Sequence, residues 1–204
     1  SMGLPGKGIE YFAAEIADLS LWNFDRPLGV SVGGDSIFEY IESVNHIESA
    51  LENKSIPYFY ELNVSCPNTK NGQTIGDDPL ELEKLLNELR SNMRKPISVK
   101  VSPDLSNETL IHIGEICSGI NQVFINAGNT KYKKSIDVGV KSKHFIKEGG
   151  GFSGPALFDR TLEMVKLFSE FDIPIMATGG ISKIHDIDAA KENGASLFGL
   201  ATAL

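Results

Sequence analysis

Short apolar runs alternate along the chain with longer stretches in which apolar residues recur every three or four positions. The short runs are typical of buried strands, and the longer pattern is typical of amphipathic helices. Strands are predicted at residues 27–33, 58–64, 96–101, 122–127, 174–178 and 196–201, and helices at residues 36–51, 78–93, 106–120, 156–171 and 184–192. Strands that alternate with helices form right-handed βαβ units, so the pattern predicts an α/β fold with a parallel sheet.

Residues that favour helix starts support three of these helices. Asp35 or Ser36 starts the first helix, Pro79 lies in the first turn of the second, and Ser106 starts the third. Short polar side chains accept backbone N–H groups at a helix start, and proline is tolerated in the first turn because it lacks an N–H.

Polar and glycine residues are concentrated directly after the predicted strands, at residues 31–34, 63–68, 100–103, 126–130, 178–180 and 201–202. Active sites of (β/α)8 barrels form at that end of the strands, and a complete barrel has eight strands in typically ~250 residues. The sequence therefore predicts a single domain over residues 1–204, and the pattern resembles a (β/α)8 TIM barrel of which about six of the eight βα units are present.

The run from Glu61 to Asn68 carries the strongest candidate chemistry. Side chains alternate along a strand, so Glu61, Asn63 and Ser65 share one face, and the following turn can bring Cys66 and Asn68 back over the strand end. Amide groups suit a flat ligand with C=O and N–H groups, and a thiolate can accept a proton from it. A cysteine taken alone is more often a small buried hydrophobe, so the hypothesis depends on amides on both sides of the thiol.

A second candidate site lies near the end of the chain. Gly179 and Gly180 follow the strand predicted at residues 174–178, and Thr202 follows the next strand. Glycines allow backbone N–H groups to approach a phosphate, and phosphate sites after the last two strands recur in barrels. Each glycine pair alone fits an ordinary tight turn about as well, and residues 149–155 fit either a flexible loop before a helix or a linker.

Lys100 lies among apolar residues of a predicted strand, where an unpaired charge is rare. It fits a charge held against an anionic ligand or cofactor, with Glu61 as a candidate ion-pair partner, and the alternative is a surface lysine with a buried stem.

Charge and composition exclude several functions. The formal net charge of −8 argues against a nucleic-acid surface, so the basic cluster Lys131, Lys133, Lys134, Lys141, Lys143 and Lys147 is interpreted as a solvated loop. The two cysteines, Cys66 and Cys117, imply no disulfide framework and fit a reducing compartment, with Cys117 in the core. The four histidines show no metal spacing, and neither a membrane span nor a signal peptide is recognised, so the prediction is a cytoplasmic protein without a metal.

Seven strings resemble the dihydroorotate dehydrogenase family, flavin mononucleotide (FMN) enzymes of pyrimidine synthesis, and they appear in the family's order. They are residues 1–5 with Gly8, 61–68, 99–101, 126–130, 150–155, 178–181 and 194–196. The resemblance implies oxidation of (S)-dihydroorotate to orotate, with Cys66 removing a proton from C5 while hydride leaves C6 for flavin N5. A cysteine base resembles the soluble class-1 enzymes.

The resemblance also implies binding residues. Asn63, Asn68, Asn129 and Thr130 match positions that hold the pyrimidine and its carboxylate, and Lys100 matches a lysine beside the flavin ring. The other predicted cofactor-binding residues are Asn126, Gly151, Gly154, Thr178, Gly179, Gly180, Ala201 and Thr202. A homodimer and an electron-transfer subunit are the expected partners.

Some features depart from the family. Ala201 replaces a common glycine, the chain begins after the family's first two strands and ends before its final helix, and residues 69–73 leave the electron acceptor open. Two alternatives therefore stay open: a related FMN barrel that acts on another dihydropyrimidine, and an inactive truncated barrel.

Overall fold

The structure, a computed structural model, describes residues 7–18, 20–53, 57–65, 74–139 and 148–201. The chain forms two compact units, Met2–Val99 and Lys100–Leu204, which we call the N-terminal and the C-terminal unit. The single domain predicted over residues 1–204 stays a prediction.

In its described residues, the N-terminal unit contains three parallel strands and three helices. Its elements are helix α1 (Ile9–Ile16), a 3₁₀ turn (Ser20–Phe24), strand β1 (Leu28–Val32), helix α2 (Ile37–Leu51), strand β2 (Tyr58–Leu62), a 3₁₀ turn (Ile75–Asp77), helix α3 (Pro79–Asn92) and strand β3 (Ile97–Val101), which continues into the C-terminal unit. β1 pairs with β2 and β2 with β3, and Glu61 lies opposite Ser31 on one side and Ser98 on the other.

The described part of the C-terminal unit contains three more parallel strands and a separate antiparallel pair. Its elements are helix α4 (Asn107–Ser118), strands β4 (Val123–Ala127), β5 (Lys131–Lys134) and β6 (Gly149–Phe152), a 3₁₀ turn (Pro155–Leu157), helix α5 (Phe158–Phe168), strand β7 (Ile175–Thr178), helix α6 (Ile184–Glu192) and strand β8 (Leu197–Gly199). The parallel pairs are β4 with β7 and β7 with β8. β5 and β6 pair in antiparallel fashion, and Tyr132 lies opposite Gly151.

The predicted α/β pattern is confirmed, with small differences in strand bounds. Pro27, Pro96 and Pro174 each precede a strand by one residue rather than opening it, because proline has no N–H for the ladder. The carbonyl groups of Pro96 and Pro174 nevertheless accept hydrogen bonds of 3.0 and 3.1 Å from neighbouring strands.

The predicted helix starts are also confirmed for α2, α3 and α4. Side-chain oxygens of Ser36, Asp78 and Ser106 accept backbone N–H groups of the first turn at 3.3, 3.0 and 3.1 Å. These bonds satisfy amides that have no partner within a helix. Apolar residues at helical spacing then bury one face; in α3 these are Leu82, Leu85, Leu86 and Leu89.

A partly buried polar cluster links α2 to the first half of β2. The hydroxyl groups of Tyr58 and Tyr60 both donate to Oε1 of Glu48, each at 2.8 Å, and the ring of Trp22 packs edge-on against Tyr58. Burial, reinforced by the hydrogen bond to Glu48, raises the pKa of both tyrosines above their usual range. Both hydroxyls therefore remain donors, and the cluster fixes the start of β2 against α2.

Two predictions about loops are wrong. Lys131, Lys133 and Lys134 belong to strand β5 rather than to a solvated loop, and Gly149–Phe152 is strand β6 rather than a flexible loop or a linker. Consecutive lysines and glycines have low strand propensity, and the cross-strand pairing overrides it here. Lys141, Lys143 and Lys147 lie outside the described residues.

None of the helices within the described ranges is both long enough and apolar enough to cross a membrane.

Candidate functional site

The end of β2 holds the backbone of Asn63 in place. The Asn63 N–H donates to the carbonyl of Val32 at 2.9 Å, and its carbonyl accepts the Tyr40 hydroxyl at 2.9 Å. The Ser65 hydroxyl contacts Oδ1 of the Asn63 side chain at 3.4 Å. The Asn63 amide is thus presented from a fixed backbone directly after the strand, in the N-terminal unit.

Two residues predicted to accompany Asn63 lie outside the described residues. These are Cys66, the predicted base, and Asn68, the second predicted amide. Their roles stay predictions.

Lys100 and Asn126 occupy successive parallel strands of the chain. In β3 the neighbours Val99 and Val101 are fully buried and Lys100 is half-buried, so Lys100 lies on the opposite face of the strand. Asn126 is only 2% exposed and lies in β4, where an amide is unusual among apolar residues.

The loops after β4 and β7 approach each other closely in the C-terminal unit. Gly128 follows β4 with a φ of 151°, and a Cβ atom at this position would collide with the backbone carbonyl of Thr178 at the end of β7. Only glycine allows this contact, which brings the segment Asn126–Thr130 next to Thr178 and Gly179.

The base of the β5–β6 pair brings three predicted site residues together. The Thr130 N–H donates to Oδ1 of Asn129 at 2.8 Å, which orients the Asn129 amide. A Cβ atom on Gly151 would collide with the Thr130 hydroxyl, so Gly151 and Thr130 are in direct contact. Asn129, Thr130 and Gly151 therefore form one cluster.

Gly179 and Gly180 link β7 to the loop before α6. A Cβ atom on Gly180 would lie 2.5 Å from the backbone nitrogen of Phe158, so this loop packs against the start of α5. The Thr161 hydroxyl, also in α5, donates to the Gly179 carbonyl at 2.9 Å. The glycine pair predicted from the sequence is thus held in place by α5.

The donors around this loop fit a phosphate group, as FMN would require. Neither Gly179 nor Gly180 donates its N–H to a backbone oxygen of another described residue. The buried Oγ1 of Thr178 likewise has no hydrogen-bond partner among the described residues. Phosphate oxygens accept hydrogen bonds from backbone N–H and hydroxyl groups. The three donors belong to the consecutive residues Thr178, Gly179 and Gly180, so one loop carries all of them.

The backbone N–H groups just before α6 are bonded to an acidic side chain of that helix. Oδ2 of Asp186 accepts the N–H groups of Ser182 and Lys183 at 2.7 and 2.9 Å. The hydrogen bond from Ser182, followed by that from Lys183, lowers the pKa of Asp186 below its usual 3.8. These two N–H groups are therefore engaged, and an anion would be bound by the glycines that precede them.

Gly154, Ala201 and Thr202 are further residues predicted to bind a cofactor. Gly154 has a φ of 106° and precedes the 3₁₀ turn at Pro155. Ala201 is exposed after β8, and Thr202 lies outside the described residues. Cys117 is fully buried in α4, as predicted, and burial raises its pKa to about 12, so its thiol is unsuited to base catalysis. In the part of the chain that the structure describes, no group of three or more His, Cys, Asp or Glu residues could hold a metal ion.

Two residues that the sequence did not indicate, Asp104 and Arg160, support the cluster of Asn129, Thr130 and Gly151. Asp104, in the loop after β3, accepts the Tyr132 N–H at 2.8 Å through Oδ2. Arg160 of α5 donates to the carbonyls of Pro103 and Leu105 at 3.1 and 2.7 Å. The available signal was weak: a Ser-Pro-Asp run directly after a strand, at the end where functional residues gather.

Comparisons with known proteins agree with the resemblance. The family model described as "Dihydroorotate dehydrogenase" matches residues 1–204. A "Putative dihydroorotate dehydrogenase A (fumarate)" of Aquifex aeolicus is 31% identical, with 100% of this chain and 65% of the relative aligned. A "Dihydroorotate dehydrogenase B (NAD(+)), catalytic subunit" of Staphylococcus carnosus is 32% identical, again over 100% of this chain and 65% of the relative.

Solved structures agree on the fold. The structure of ligand-free DHODH from Eimeria tenella matches with a TM-score of 0.73 at 22% identity, covering 98% of this chain and 62% of that one. The DHODH of the same organism in complex with ferulenol has a TM-score of 0.72 at 21% identity, covering 96% and 57%. The predicted (β/α)8 class is thereby confirmed.

The chain spans about two thirds of the length of the curated relatives it matches, 65, 66 and 64% for three of them.

Proposed function

The chain belongs to the dihydroorotate dehydrogenase family, and from this premise we propose that the full-length protein oxidises (S)-dihydroorotate to orotate in pyrimidine synthesis, with FMN as the hydride acceptor. The observation that carries the proposal is the meeting of four segments in the C-terminal unit. Gly128 touches Thr178, Gly151 touches Thr130, and Gly180 touches Phe158, so the loops after β4 and β7, strand β6 and the start of α5 lie close together in this unit.

FMN, when bound, supplies a ring that accepts a hydride from C6 of dihydroorotate. The chain would bind its phosphate through the N–H groups of Gly179 and Gly180 and the Thr178 hydroxyl, the donors described above. Thr202, Gly154 and Ala201 are proposed to complete this part of the site.

Lys100 is proposed to lie beside the flavin ring, with Asn126 and Gly151 as further contacts. A lysine ammonium near the ring stabilises negative charge that develops there. The half-buried setting of Lys100 within an otherwise buried strand supports this role, because burial strengthens electrostatic interactions.

The chain's other task is to hold the pyrimidine and take its proton. We assign the amides of Asn63, Asn68 and Asn129 and the hydroxyl of Thr130 to the ring C=O and N–H groups and to the carboxylate. Cys66 is the general base that removes the proton from C5. The fixed backbone of Asn63 and the oriented Asn129 amide support this assignment, since prealigned groups lose little entropy on binding.

Partners and electron acceptor are also part of the proposal. The name of the Aquifex aeolicus relative includes fumarate, and the name of the Staphylococcus carnosus relative includes NAD(+) and describes a catalytic subunit. We propose a cytoplasmic homodimer that passes electrons to a separate subunit. Sedimentation of the full-length protein, and a search for a copurifying protein that accepts electrons from it, would test both points.

Substrate identity is tested by comparing two dihydropyrimidines. The full-length, FMN-loaded protein is mixed with dihydroorotate or with dihydrouracil without oxygen, and the loss of flavin absorbance is followed. Rapid bleaching by dihydroorotate alone supports the proposal. Bleaching by dihydrouracil alone supports the related FMN barrel, and bound flavin that neither compound reduces supports an inactive barrel.

A further inference from the structure

One hydrogen bond anchors the base of the β5–β6 pair to the rest of the C-terminal unit. Oδ2 of Asp104, in the loop between β3 and α4, accepts the backbone N–H of Tyr132 at 2.8 Å. Tyr132 is only two residues beyond Thr130, and the bond crosses 28 residues of sequence. A carboxylate acceptor makes such a bond stronger than one between neutral groups.

The loop that carries Asp104 is itself held firmly. Arg160 donates to the carbonyls on both sides of Asp104, Pro103 at 3.1 Å and Leu105 at 2.7 Å. Its Nη1 atom donates to Oδ1 of Asn107 and pairs with Oε2 of Glu163, both at 2.7 Å. The Arg160 side chain is only 17% exposed. Asp104 itself is exposed, but the carbonyl groups on both sides of it are bonded to the Arg160 side chain.

The opposite side of the same segment is closed by β6. Tyr132 pairs with Gly151, and Gly151 leaves room for the Thr130 hydroxyl only because it has no side chain. If β5 moved relative to β6, Thr130 and the Asn129 amide bonded to it would move as well. Asp104 holds the one strand end from which both of these residues extend.

We propose that Asp104 is a positioning residue for the pyrimidine ligand: it fixes the start of β5 so that Asn129 and Thr130 meet the substrate. This role rests on the proposed function, because it assigns Asn129 and Thr130 to substrate binding. Asp104 does not touch the ligand, and it acts through the Tyr132 N–H.

Three variants of the full-length protein test the role. Asp104→Ala removes the acceptor, Asp104→Asn keeps an amide oxygen in its place, and Asp137→Ala removes an exposed aspartate from the turn after β5. Each is measured for flavin content, orotate affinity, KM and kcat for dihydroorotate, and amide hydrogen exchange of residues 131–134.

Asp104→Ala should weaken orotate binding and raise KM about tenfold, the usual value of a hydrogen bond to a charged group. We expect kcat to change by less than about twofold because bound substrate meets the same reacting groups. Amide exchange at residues 131–134 should become faster, and flavin content should be unchanged. Asp104→Asn should recover most of the orotate affinity, and Asp137→Ala should behave like wild type.

Several results would overturn the role. Unchanged amide exchange in Asp104→Ala would show that the Tyr132 bond does not hold β5, and faster exchange with unchanged orotate affinity would show that β5 does not position the ligand. Loss of flavin together with orotate would make Asp104 a general stability residue. If wild-type protein binds no orotate, the proposed function fails and the ligand role fails with it, whereas the exchange data still report whether Asp104 anchors β5.

Discussion

The start of β2, in the N-terminal unit, and the end of β7, in the C-terminal unit, treat buried polar groups in opposite ways. At the start of β2, the hydroxyls of Tyr58 and Tyr60 are satisfied within the protein by the carboxylate of Glu48. At the end of β7, the Thr178 hydroxyl is buried without a partner among the described residues, and the Gly179 and Gly180 N–H groups donate to no backbone oxygen there.

From this difference we infer that the polar groups at the start of β2 serve stability and that those at the end of β7 serve function. A buried polar group without a partner costs roughly 1–3 kcal/mol, so a protein keeps one only where something else compensates. In (β/α)8 barrels, the carboxyl ends of the strands carry binding and catalysis, and the amino ends serve stability. Changes at the Glu48 cluster should therefore alter unfolding, and changes at the other end should alter ligand binding and reaction.

The largest effect is expected from the proposed base. Cys66→Ala in the full-length protein should slow flavin reduction by dihydroorotate by about 10²–10⁴-fold, the usual contribution of a general base. Cys66→Ser should keep part of the rate and lose more of it at neutral pH, because a hydroxyl is harder to deprotonate than a thiol.

Anaerobic stopped-flow absorbance gives the reduction rate, and Cys117→Ala serves as the control because Cys117 is buried in α4. The control should lower stability and leave the reduction rate unchanged. A Cys66→Ala protein that reduces its flavin at the wild-type rate would remove Cys66 from the reaction.

The next largest effect is expected on stability, from the Glu48 cluster at the start of β2. Glu48→Ala removes the acceptor of two tyrosine hydroxyls and should lower the free energy of unfolding by about 2–4 kcal/mol. Orotate affinity at a temperature where the protein is folded should stay the same. Urea unfolding measures the first quantity, and Glu42→Ala, an exposed position on the same helix, should cost less than about 0.5 kcal/mol. A large loss of orotate affinity in Glu48→Ala would break the proposed separation.

Asn63 and Asn129, which follow the carboxyl ends of β2 and β4, should show the reverse: loss of ligand binding with little change in stability. Asn63→Ala and Asn129→Ala should each weaken orotate binding by about 1–3 kcal/mol, because ligand polar groups would be buried without partners. Flavin content and the unfolding midpoint should change little. Titration of flavin absorbance with orotate measures the affinity, with the exposed Asn92→Ala as a control. Wild-type affinity in both site variants would count against the assigned ligand contacts.

The smallest effect is expected from a pair of neighbouring glycines. Gly151→Ala would push a methyl group into the Thr130 hydroxyl, whereas a Cβ atom on Gly150 meets nothing within 4 Å. We expect Gly151→Ala to weaken orotate binding by about 1 kcal/mol, the lower range for overpacking, and Gly150→Ala to have no such effect. Equal affinities for the two variants would contradict the contact between Gly151 and Thr130.

Local patterns in the sequence predicted most of the fold. Cap residues such as Ser36 and Ser106 act within one turn, and prolines mark strand starts over one or two residues, so both can be recognised in the sequence. Strand β6 was missed because a run of glycines has no strand propensity of its own, and its partner β5 supplies the order.

Residues that act across long sequence separations were not predictable in the same way. The bond from Tyr132 to Asp104 spans 28 residues, and the bond from Arg160 to Leu105 spans 55. Each of these two bonds forms only when the fold brings distant residues together, so no local sequence pattern indicates it. For the candidate site, Asn63, Asn129, Gly179 and Gly180 lie after strands, as predicted, because functional residues gather where parallel strands end. Their roles in binding stay predictions. The predictions for Cys66, Asn68 and Thr202 lie outside the described residues.

The most direct test of the central claim is anaerobic mixing of dihydroorotate with the full-length, FMN-loaded protein. Substrate with hydrogen or with deuterium at C5 is compared, and flavin absorbance is followed through one turnover. We predict complete bleaching, stoichiometric formation of orotate, and a slower rate with deuterium, because a base on the protein removes the C5 proton. Flavin that stays oxidised in the presence of saturating dihydroorotate would contradict the account.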